Sequence, residues 1–130
     1  MTGLETAELL LQQGKEVVVV EMLKRVGADM GGTVRWHLMN RLRGQRIEMF
    51  TSTKIKEIGP EGVVVVSGDG KEERWKPFDN VVLACGVRPR NDLVKDIEGQ
   101  VGELHVIGDA STTRRGLEAV RDGAETGRRV

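Results

Sequence analysis

The first twenty-one residues constrain the fold more than any other stretch of the sequence. Residues 2–13 have the apolar spacing of a helix, and Gly14 follows where helices typically end. Residues 15–21 then predict a strand whose four consecutive valines are apolar on both faces, as in a parallel strand that is covered on both sides. This strand ends at Glu21, at the edge where a parallel sheet receives ligands. Helix and strand together predict an α/β protein.

The start of the predicted helix carries two further signals. Thr2 and Glu5 have the spacing of a capping box. Gly3 and Glu21 match the third glycine and the acid of a dinucleotide-binding fingerprint, in which a strand runs into G-x-G-x-x-G and an acid follows about 20 residues later. No strand and no earlier glycines precede Gly3, so we interpret the sequence as a piece of a longer protein. The helix N-terminus is expected to favour an anion, with low affinity because the glycine turn is missing.

The remaining elements alternate between helices and strands, and the pattern changes in the middle of the chain. Helices are predicted over residues 33–43 and 114–129, and buried strands over 46–50, 79–85 and 103–107. Short strands over 53–58, 62–67 and 72–76, joined by glycine turns, predict an antiparallel meander. The helical side chains expected to face inward are Leu4, Ala7, Leu10, Leu11, Val34, Leu38, Met39, Leu42, Leu117, Val120 and Ala124. The predicted fold class is α/β: a Rossmann-like parallel sheet flanked by helices, with an inserted antiparallel β-meander and its first strand absent.

Composition excludes several other classes of protein. The 20 basic and 20 acidic residues balance, which favours neither nucleic acid nor an anionic membrane surface as a partner. No apolar run approaches the roughly 18 residues of a membrane-spanning helix, and no signal peptide is recognisable. A single cysteine excludes an internal disulfide and fits a reducing compartment. These features predict a cytoplasmic protein.

Four segments in this order resemble a known family. They are T-G-L-E-T-A-E at the start, V-V-V-V-E-M at the strand end, L-A-C-G-V-R-P at residues 83–89, and V-I-G-D-A near the end. Together they resemble the FAD-dependent pyridine nucleotide-disulfide oxidoreductases. The similarity is greatest to the C-terminal flavoprotein region of the 2,4-dienoyl-CoA reductase and NADH:flavin oxidoreductase group.

This resemblance implies a domain organisation and a function. Residues 1–98 would be an NAD(P)H-binding domain that lacks its first strand, and residues 99–130 the closing strand and helix of an FAD-binding domain. The longer protein would pass a hydride from NAD(P)H to FAD, with NAD as the expected nucleotide and NADP possible, while the fragment itself would be inactive. Its partners would be a nicotinamide dinucleotide and the FAD domain of the parent protein. The alternatives are a non-catalytic nucleotide-binding module and a purely structural or dimerising fragment.

The same resemblance implies cofactor-binding roles and no catalytic residue. The implied cofactor-binding residues are Gly3, Glu5, Glu21, Gly86, Gly108 and Asp109. Gly3 would allow close packing of helix on strand, or would be merely a flexible N-terminal residue. Glu5 would approach the nicotinamide carboxamide, or would be the capping partner of Thr2. Gly86 would shape a loop near the cofactor, and Gly108 with Asp109 would contact the phosphate and ribityl groups of FAD.

Glu21 is the site residue that the sequence supports best. A carboxylate at this strand end accepts hydrogen bonds from both hydroxyls of an adenosine ribose and repels a 2′-phosphate, which favours NAD over NADP. The neighbouring Lys24 and Arg25 weaken that preference, because cations are characteristic of NADP sites. The alternative is a solvated acid at the end of a strand.

The remaining reactive side chains are interpreted as structural. Cys85 has no C-x-x-C partner and follows a predicted buried strand, so it is expected to be buried and not redox-active. His37 is expected on a helix surface and His105 in a strand, without the spacing of a metal site. Arg88 or Arg90 could reach a phosphate, but a solvated surface position is the default expectation for both.

The missing first strand leads to a structural hypothesis. It would leave an empty position between residues 17–20 and 81–84, with an unpaired edge on each side. The apolar segment 104–108 is expected to fill this position, either within the chain or from a second copy in a homodimer formed by strand exchange.

Overall fold

Two helices and a two-stranded parallel sheet form the first part of the molecule. The computed structural model describes residues 1–130, which divide into the units Met1–Ala84 and Cys85–Val130. The elements that open the first unit are helix α1 (Thr2–Gln12), strand β1 (Val17–Val20), helix α2 (Gly32–Leu42) and strand β2 (Ile47–Phe50). Strands β1 and β2 are parallel, in a register that runs from Val17 opposite Ile47 to Val20 opposite Phe50. The predicted α/β class with a parallel sheet is confirmed.

The core of the first unit lies between these helices and one face of the sheet. Its buried members are Leu4, Val26, Met30, Leu38 and Leu42, and Leu11, Val19, Met39, Ile47 and Met49 pack against them. The inward face predicted for α1 is confirmed at Leu4 and Ala7, which are buried. On α2 the prediction holds for Leu38 and Leu42 but is wrong for Val34, which is 56% exposed and is not part of the buried cluster.

The predicted meander follows directly after β2. It consists of β3 (Thr53–Gly59), β4 (Gly62–Ser67) and β5 (Glu72–Trp75), paired antiparallel in that order. The central strand is the buried one, with Val63, Val64 and Val65 all inside. The register shifts between Ile55 and Glu57, which marks a β-bulge. Both predicted glycine turns are confirmed.

The second unit is built from short helices and extended chain. Its elements are helix α3 (Asp92–Ile97), a 3₁₀ turn (Gly108–Ala110) and helix α4 (Gly116–Thr126). Helix α4 packs on the 3₁₀ turn, where the Asp122 carboxylate accepts the Gly108 N–H at 3.1 Å. The inward face predicted for α4 is wrong: Leu117 and Val120 are each 71% exposed and Ala124 is also exposed, because the contact with the 3₁₀ turn uses the Ala119 side of the helix. No helix in the structure combines the length and apolarity needed to cross a membrane.

Two predicted strands are not strands in the structure. Residues 79–85 and 103–107 form no ladder, and His105 therefore lies in irregular chain. A strand is defined by its partner, and neither segment has one in this chain. The hypothesis that segment 104–108 pairs with β1 or with residues 81–84 is wrong within the chain, because Val106 pairs with neither. Pairing through a second copy stays a prediction.

The capping box predicted for α1 is also wrong. The residue that caps α1 is Met1, and no side chain caps the helix. The Met1 carbonyl accepts the N–H groups of Leu4 and Glu5, while the Met1 ammonium lies 2.6 Å from the Asp29 carboxylate. Thr2 is thus the first helical residue, one position too late to act as the cap.

An ion pair between the two helices makes stability depend on pH. The Arg41 guanidinium on α2 bonds both oxygens of Glu8 on α1, at 2.5 and 3.1 Å, and this hydrogen bond lowers the pKa of Glu8. A carboxyl whose pKa is lowered by folding stabilises the protein above its ordinary pKa, and the contribution disappears as the pH falls through the folded value. We expect Glu8→Gln to lower the midpoint of urea unfolding at neutral pH. The difference between this variant and the unsubstituted chain is expected to shrink as the pH falls below 4.5, the ordinary pKa of a glutamate.

The control for this experiment is a looser ion pair in the same unit. Glu16 lies 3.4 Å from Arg46, with both side chains about four-fifths exposed. Glu16→Gln is therefore expected to change the urea midpoint at neutral pH less than Glu8→Gln does. A Glu8→Gln effect that persisted unchanged in acid would contradict the assignment to this ion pair.

Candidate nucleotide-binding site

Glu21 lies directly after β1, and its backbone is fixed from two directions. Its N–H donates to the Phe50 carbonyl at 2.8 Å, which extends the parallel ladder, and its carbonyl accepts the Thr53 N–H at 3.0 Å. The side chain is half-buried, and its Oε1 accepts the Leu23 N–H at 2.9 Å. The Leu23 carbonyl in turn accepts the Ser52 N–H at 2.9 Å. The acid is thus held at the carboxyl edge of the sheet, where the sequence predicted it.

The segment after Glu21 returns to the first turn of α1. Gly27 has a φ of +63°, and a Cβ there would lie 2.9 Å from the Met30 sulfur and 3.0 Å from the Leu4 side chain. The Val26 carbonyl accepts the Arg35 Nε–H at 2.8 Å, which ties the segment to α2. Both the carboxyl end of β1 and the N-terminal turn of α1 therefore contribute to the same edge of the sheet.

Sequence reasoning missed the residues that build this connection. Gly27 needs its positive φ and the absence of a side chain, and Arg35 fixes the Val26 carbonyl. The available signal was a glycine in an irregular segment next to a predicted strand end, which is typical of a close backbone approach. Nothing in the local sequence of α2 indicates that Arg35 bonds the Val26 carbonyl in the preceding segment.

The structure places Gly3 and Glu5 at the N-terminal turn of α1. A Cβ on Gly3 would lie 3.1 Å from the Ala84 Cβ, closer than side chains normally approach. A side chain at this position would have to displace Ala84 by a few tenths of an ångström. Glu5 is exposed and caps nothing in α1, so the capping-box alternative for Glu5 is wrong, but it is an acid in the first turn of the helix, where it supports the helix dipole. Its nicotinamide role stays a prediction.

The other predicted site residues lie in the second unit. Gly86 has a φ of +85°, with open space where a Cβ would be. Gly108 is buried with a φ of +59°, beneath Ala119. Asp109 is exposed, and its Oδ1 accepts the Arg114 N–H at 3.3 Å, so it closes the loop before α4. Cys85 is exposed, which corrects the prediction that it is buried: the segment before it forms no strand and nothing in the structure covers it.

The charged and metal-ligating groups are dispersed. Lys24 and Arg25 are both exposed in the segment after Glu21. His37 lies on the surface of α2, as predicted, with its ring edge-on to Trp36 at a centroid distance of 4.8 Å. His105 lies 3.3 Å from Glu103. No three His, Cys, Asp or Glu side chains come together as a metal site would require.

Comparison with known proteins identifies the chain. The family model of the pyridine nucleotide-disulphide oxidoreductases matches residues 1–119. The chain belongs to this family. Membership confirms the resemblance inferred from the four sequence segments.

Individual known proteins match most of the chain. A metal reductase of Desulforamulus reducens is 34% identical over 119 residues, which cover 92% of this chain and 18% of the reductase. An NADH oxidase of Thermoanaerobacter brockii is 35% identical over 124 residues, covering 95% of this chain and 19% of the oxidase. The solved structure of a 2-naphthoyl-CoA reductase, in complex with 2-naphthoyl-CoA, superposes with a TM-score of 0.81 at 30% identity, over 98% of this chain and 19% of that protein.

These relatives are much longer than the chain described here. The chain spans about a fifth of the length of each relative. Their names describe oxidoreductases, and the superposition agrees with the Rossmann-like arrangement of the first unit.

Proposed function

We propose that the chain is the NAD(P)H-binding part of an FAD-dependent oxidoreductase in which a hydride passes from NAD(P)H to FAD. The observation that carries this proposal is the position of Glu21. Its carboxylate lies at the carboxyl end of a parallel strand, and the following segment packs against the first turn of α1. An acid and a helix N-terminus at one edge of a parallel sheet are what a dinucleotide site requires.

In this proposal Glu21 recognises the adenosine ribose. The Leu23 N–H holds Oε1 in place, and the carboxylate accepts hydrogen bonds from the two ribose hydroxyls. Its negative charge repels a 2′-phosphate and favours NAD, while the exposed Lys24 and Arg25 are the groups that would accommodate NADP. Glu5 accepts hydrogen bonds from the nicotinamide carboxamide.

The fit to the two cofactors is incomplete in this chain. Gly3 supplies the close packing at the start of α1, but the glycine turn that grips a pyrophosphate is not among these residues. For FAD, the chain provides only the 3₁₀ turn that begins at Gly108 and the carboxylate of Asp109. When bound, FAD would accept electrons from the reduced nicotinamide. We therefore propose that residues 1–98 and 99–130 belong to an NAD(P)H domain and an FAD domain of a longer protein, and that the chain alone binds nucleotide weakly and reduces no flavin.

A titration with NADH tests the role of Glu21. Amide NMR shifts are expected at Gly3, Glu5 and the residues around Glu21. Glu21→Gln is expected to weaken binding about tenfold, because it removes the charge from an acceptor of two hydrogen bonds. The matched control is Glu16→Gln, an exposed acid at the opposite end of β1, which is expected to leave the affinity unchanged. NADPH is expected to bind more weakly than NADH.

Two outcomes would contradict the proposal. A spectrum without shifts at millimolar NADH would favour a purely structural fragment. If Glu21→Gln and Glu16→Gln weakened NADH binding equally, binding would depend on overall charge and not on the predicted ribose site.

A further inference from the structure

Ser52 is the only residue other than glycine that has a positive φ, at +50°. In this left-handed conformation the Cβ crowds the backbone, and glycine is the residue that adopts it readily. Ser52 lies between β2 and β3, at the same edge of the parallel sheet as Glu21. A strained residue persists only where its surroundings fix it, and such residues cluster at functional sites. The contacts of Ser52 therefore indicate what its conformation supports.

The conformation of Ser52 turns two consecutive N–H groups toward the segment after β1. The Ser52 N–H donates to the Leu23 carbonyl at 2.9 Å. The next N–H, that of Thr53, donates to the Glu21 carbonyl at 3.0 Å. Consecutive N–H groups point in opposite directions along an extended strand, so both reach this segment because the chain turns at Ser52. The Leu23 N–H in turn donates to Glu21 Oε1 at 2.9 Å, so a single residue connects Ser52 with the carboxylate.

The turn between β4 and β5 packs against Ser52. A Cβ on Gly68 would lie 3.2 Å from both the Cβ and the carbonyl oxygen of Ser52, closer than side chains normally approach. This turn is itself closed by hydrogen bonds. The Lys71 N–H donates to Asp69 Oδ1 at 3.1 Å, and the Ser67 N–H donates to the Lys71 carbonyl at 3.0 Å. Ser52 therefore meets a fixed turn of the meander, which has room for it only because residue 68 has no side chain.

We propose that Ser52 is a positioning residue for the Glu21 carboxylate, and that the antiparallel meander supports it through Gly68. This inference rests on the proposed role of Glu21 in binding the ribose. The contacts lead from the meander turn through Ser52 and Leu23 to the carboxylate, and Ser52 acts through its backbone without touching the nucleotide. The meander thereby holds the acceptor of the ribose hydroxyls in one orientation.

Gly68→Ala tests this support at a position remote from the carboxylate. Gly68 does not have a positive φ, so alanine adds no left-handed strain there, but its Cβ would have to displace Ser52 by a few tenths of an ångström. Exchange of the Leu23 amide hydrogen is expected to become about threefold faster, and the affinity for NADH about threefold lower. Exchange at Leu42, in the core of the same unit, is expected to stay within about twofold, which distinguishes local loosening from global destabilisation.

The matched control is Gly59→Ala, in the other turn of the meander. Its Cβ would meet nothing closer than 3.8 Å, so exchange at Leu23 and NADH affinity are expected to stay unchanged. The double variant Gly68→Ala with Ser52→Gly removes the Cβ that the new alanine meets and keeps the positive φ accessible. It is expected to bring both quantities back to within about twofold of the unsubstituted chain. Ser52→Val, in which a β-branched residue disfavours positive φ, is expected to reproduce the loss.

The exchange measurement needs no nucleotide, so it decides the proposal even if the chain fails to bind NADH. Unchanged exchange at Leu23 in Gly68→Ala would overturn the proposal, as would equal acceleration at Leu23 and Leu42 or a double variant that fails to recover. Faster exchange at Leu23 with unchanged NADH affinity would also overturn it, because the contact would then be structural only. The expected exchange pattern in a chain that binds no NADH would contradict the proposed function but support the link from the meander to the carboxylate.

Discussion

A protein with alanine in place of Gly62 is expected to lose about 2–5 kcal/mol of its free energy of unfolding. Gly62 opens β4 with a φ of +119°, a conformation that residues with a Cβ rarely adopt. A Cβ there would lie 1.9 Å from the Trp75 carbonyl oxygen, well inside contact distance. The obstacle is backbone that belongs to the β4–β5 ladder, so relief requires the two strands to separate. Urea unfolding followed by far-UV circular dichroism measures the loss.

The matched control is Gly70→Ala in the turn at the other end of β4. Gly70 also has a positive φ, +85°, but no atom lies within 4 Å of the position of its Cβ. Gly70→Ala therefore measures the effect of backbone strain alone, which we expect to lower the free energy of unfolding by about 1 kcal/mol. If the two alanine variants lost equal stability, the clash with Trp75 would not be the cause.

Leu42→Ala is expected to destabilise the first unit by about 2–5 kcal/mol. Leu42 is the most completely buried large side chain, at 1% exposure, and belongs to the same cluster as Leu4 and Leu38. Truncation removes apolar contacts and leaves a cavity that helices fixed by the sheet cannot fill completely. The midpoint of urea unfolding is expected to fall while the slope of the transition stays the same.

Leu9→Ala provides the comparison for Leu42→Ala. Leu9 is the same residue type, within helix α1, but 54% exposed. Its truncation is expected to change the free energy of unfolding by no more than about 0.5 kcal/mol. A similar loss at both positions would mean that the core does not lie where the structure places it.

Local signals predicted the elements whose pairing lies within the chain. Gly14 and Gly44 follow α1 and α2 with φ values of +75° and +81°, the left-handed conformation in which helices end. The Asp69-Gly70 turn between β4 and β5 is likewise encoded by two adjacent residues. In each case, the residues that decide the conformation are neighbours in sequence, so reading them in order is sufficient.

Predictions failed where the structure depends on partners that sequence order does not reveal. Residues 79–85 and 103–107 have strand composition but no strand to pair with, and Leu83 is consequently 69% exposed. The same reason accounts for the exposure of Cys85, whose expected burial rested on that strand. On α4, apolar spacing identified a coherent face, but contact with the 3₁₀ turn uses a different side of the helix.

At the candidate site, the position of Glu21 could be predicted from the sequence, but the hydrogen bonds that hold it in place could not. A valine strand followed by an acid was sufficient to place the carboxylate at the sheet edge. The hydrogen bonds from Leu23, Ser52 and Thr53 involve backbone groups, whose partners no residue type specifies. The close approach of Gly3 and Ala84 involves positions eighty-one residues apart, so the sequence around either residue could not predict it.

The fixed backbone of Glu21 has a thermodynamic consequence for ligand recognition. Both of its peptide groups are hydrogen-bonded, one to Phe50 and one to Thr53, so its main chain is already ordered before any ligand arrives. Ordering a backbone costs roughly 1–2 kcal/mol per residue, and here that cost belongs to folding. Only the side-chain torsions remain to be fixed on binding, and the Leu23 N–H already restricts them. Binding of a ligand to this carboxylate would therefore cost little additional conformational entropy of Glu21.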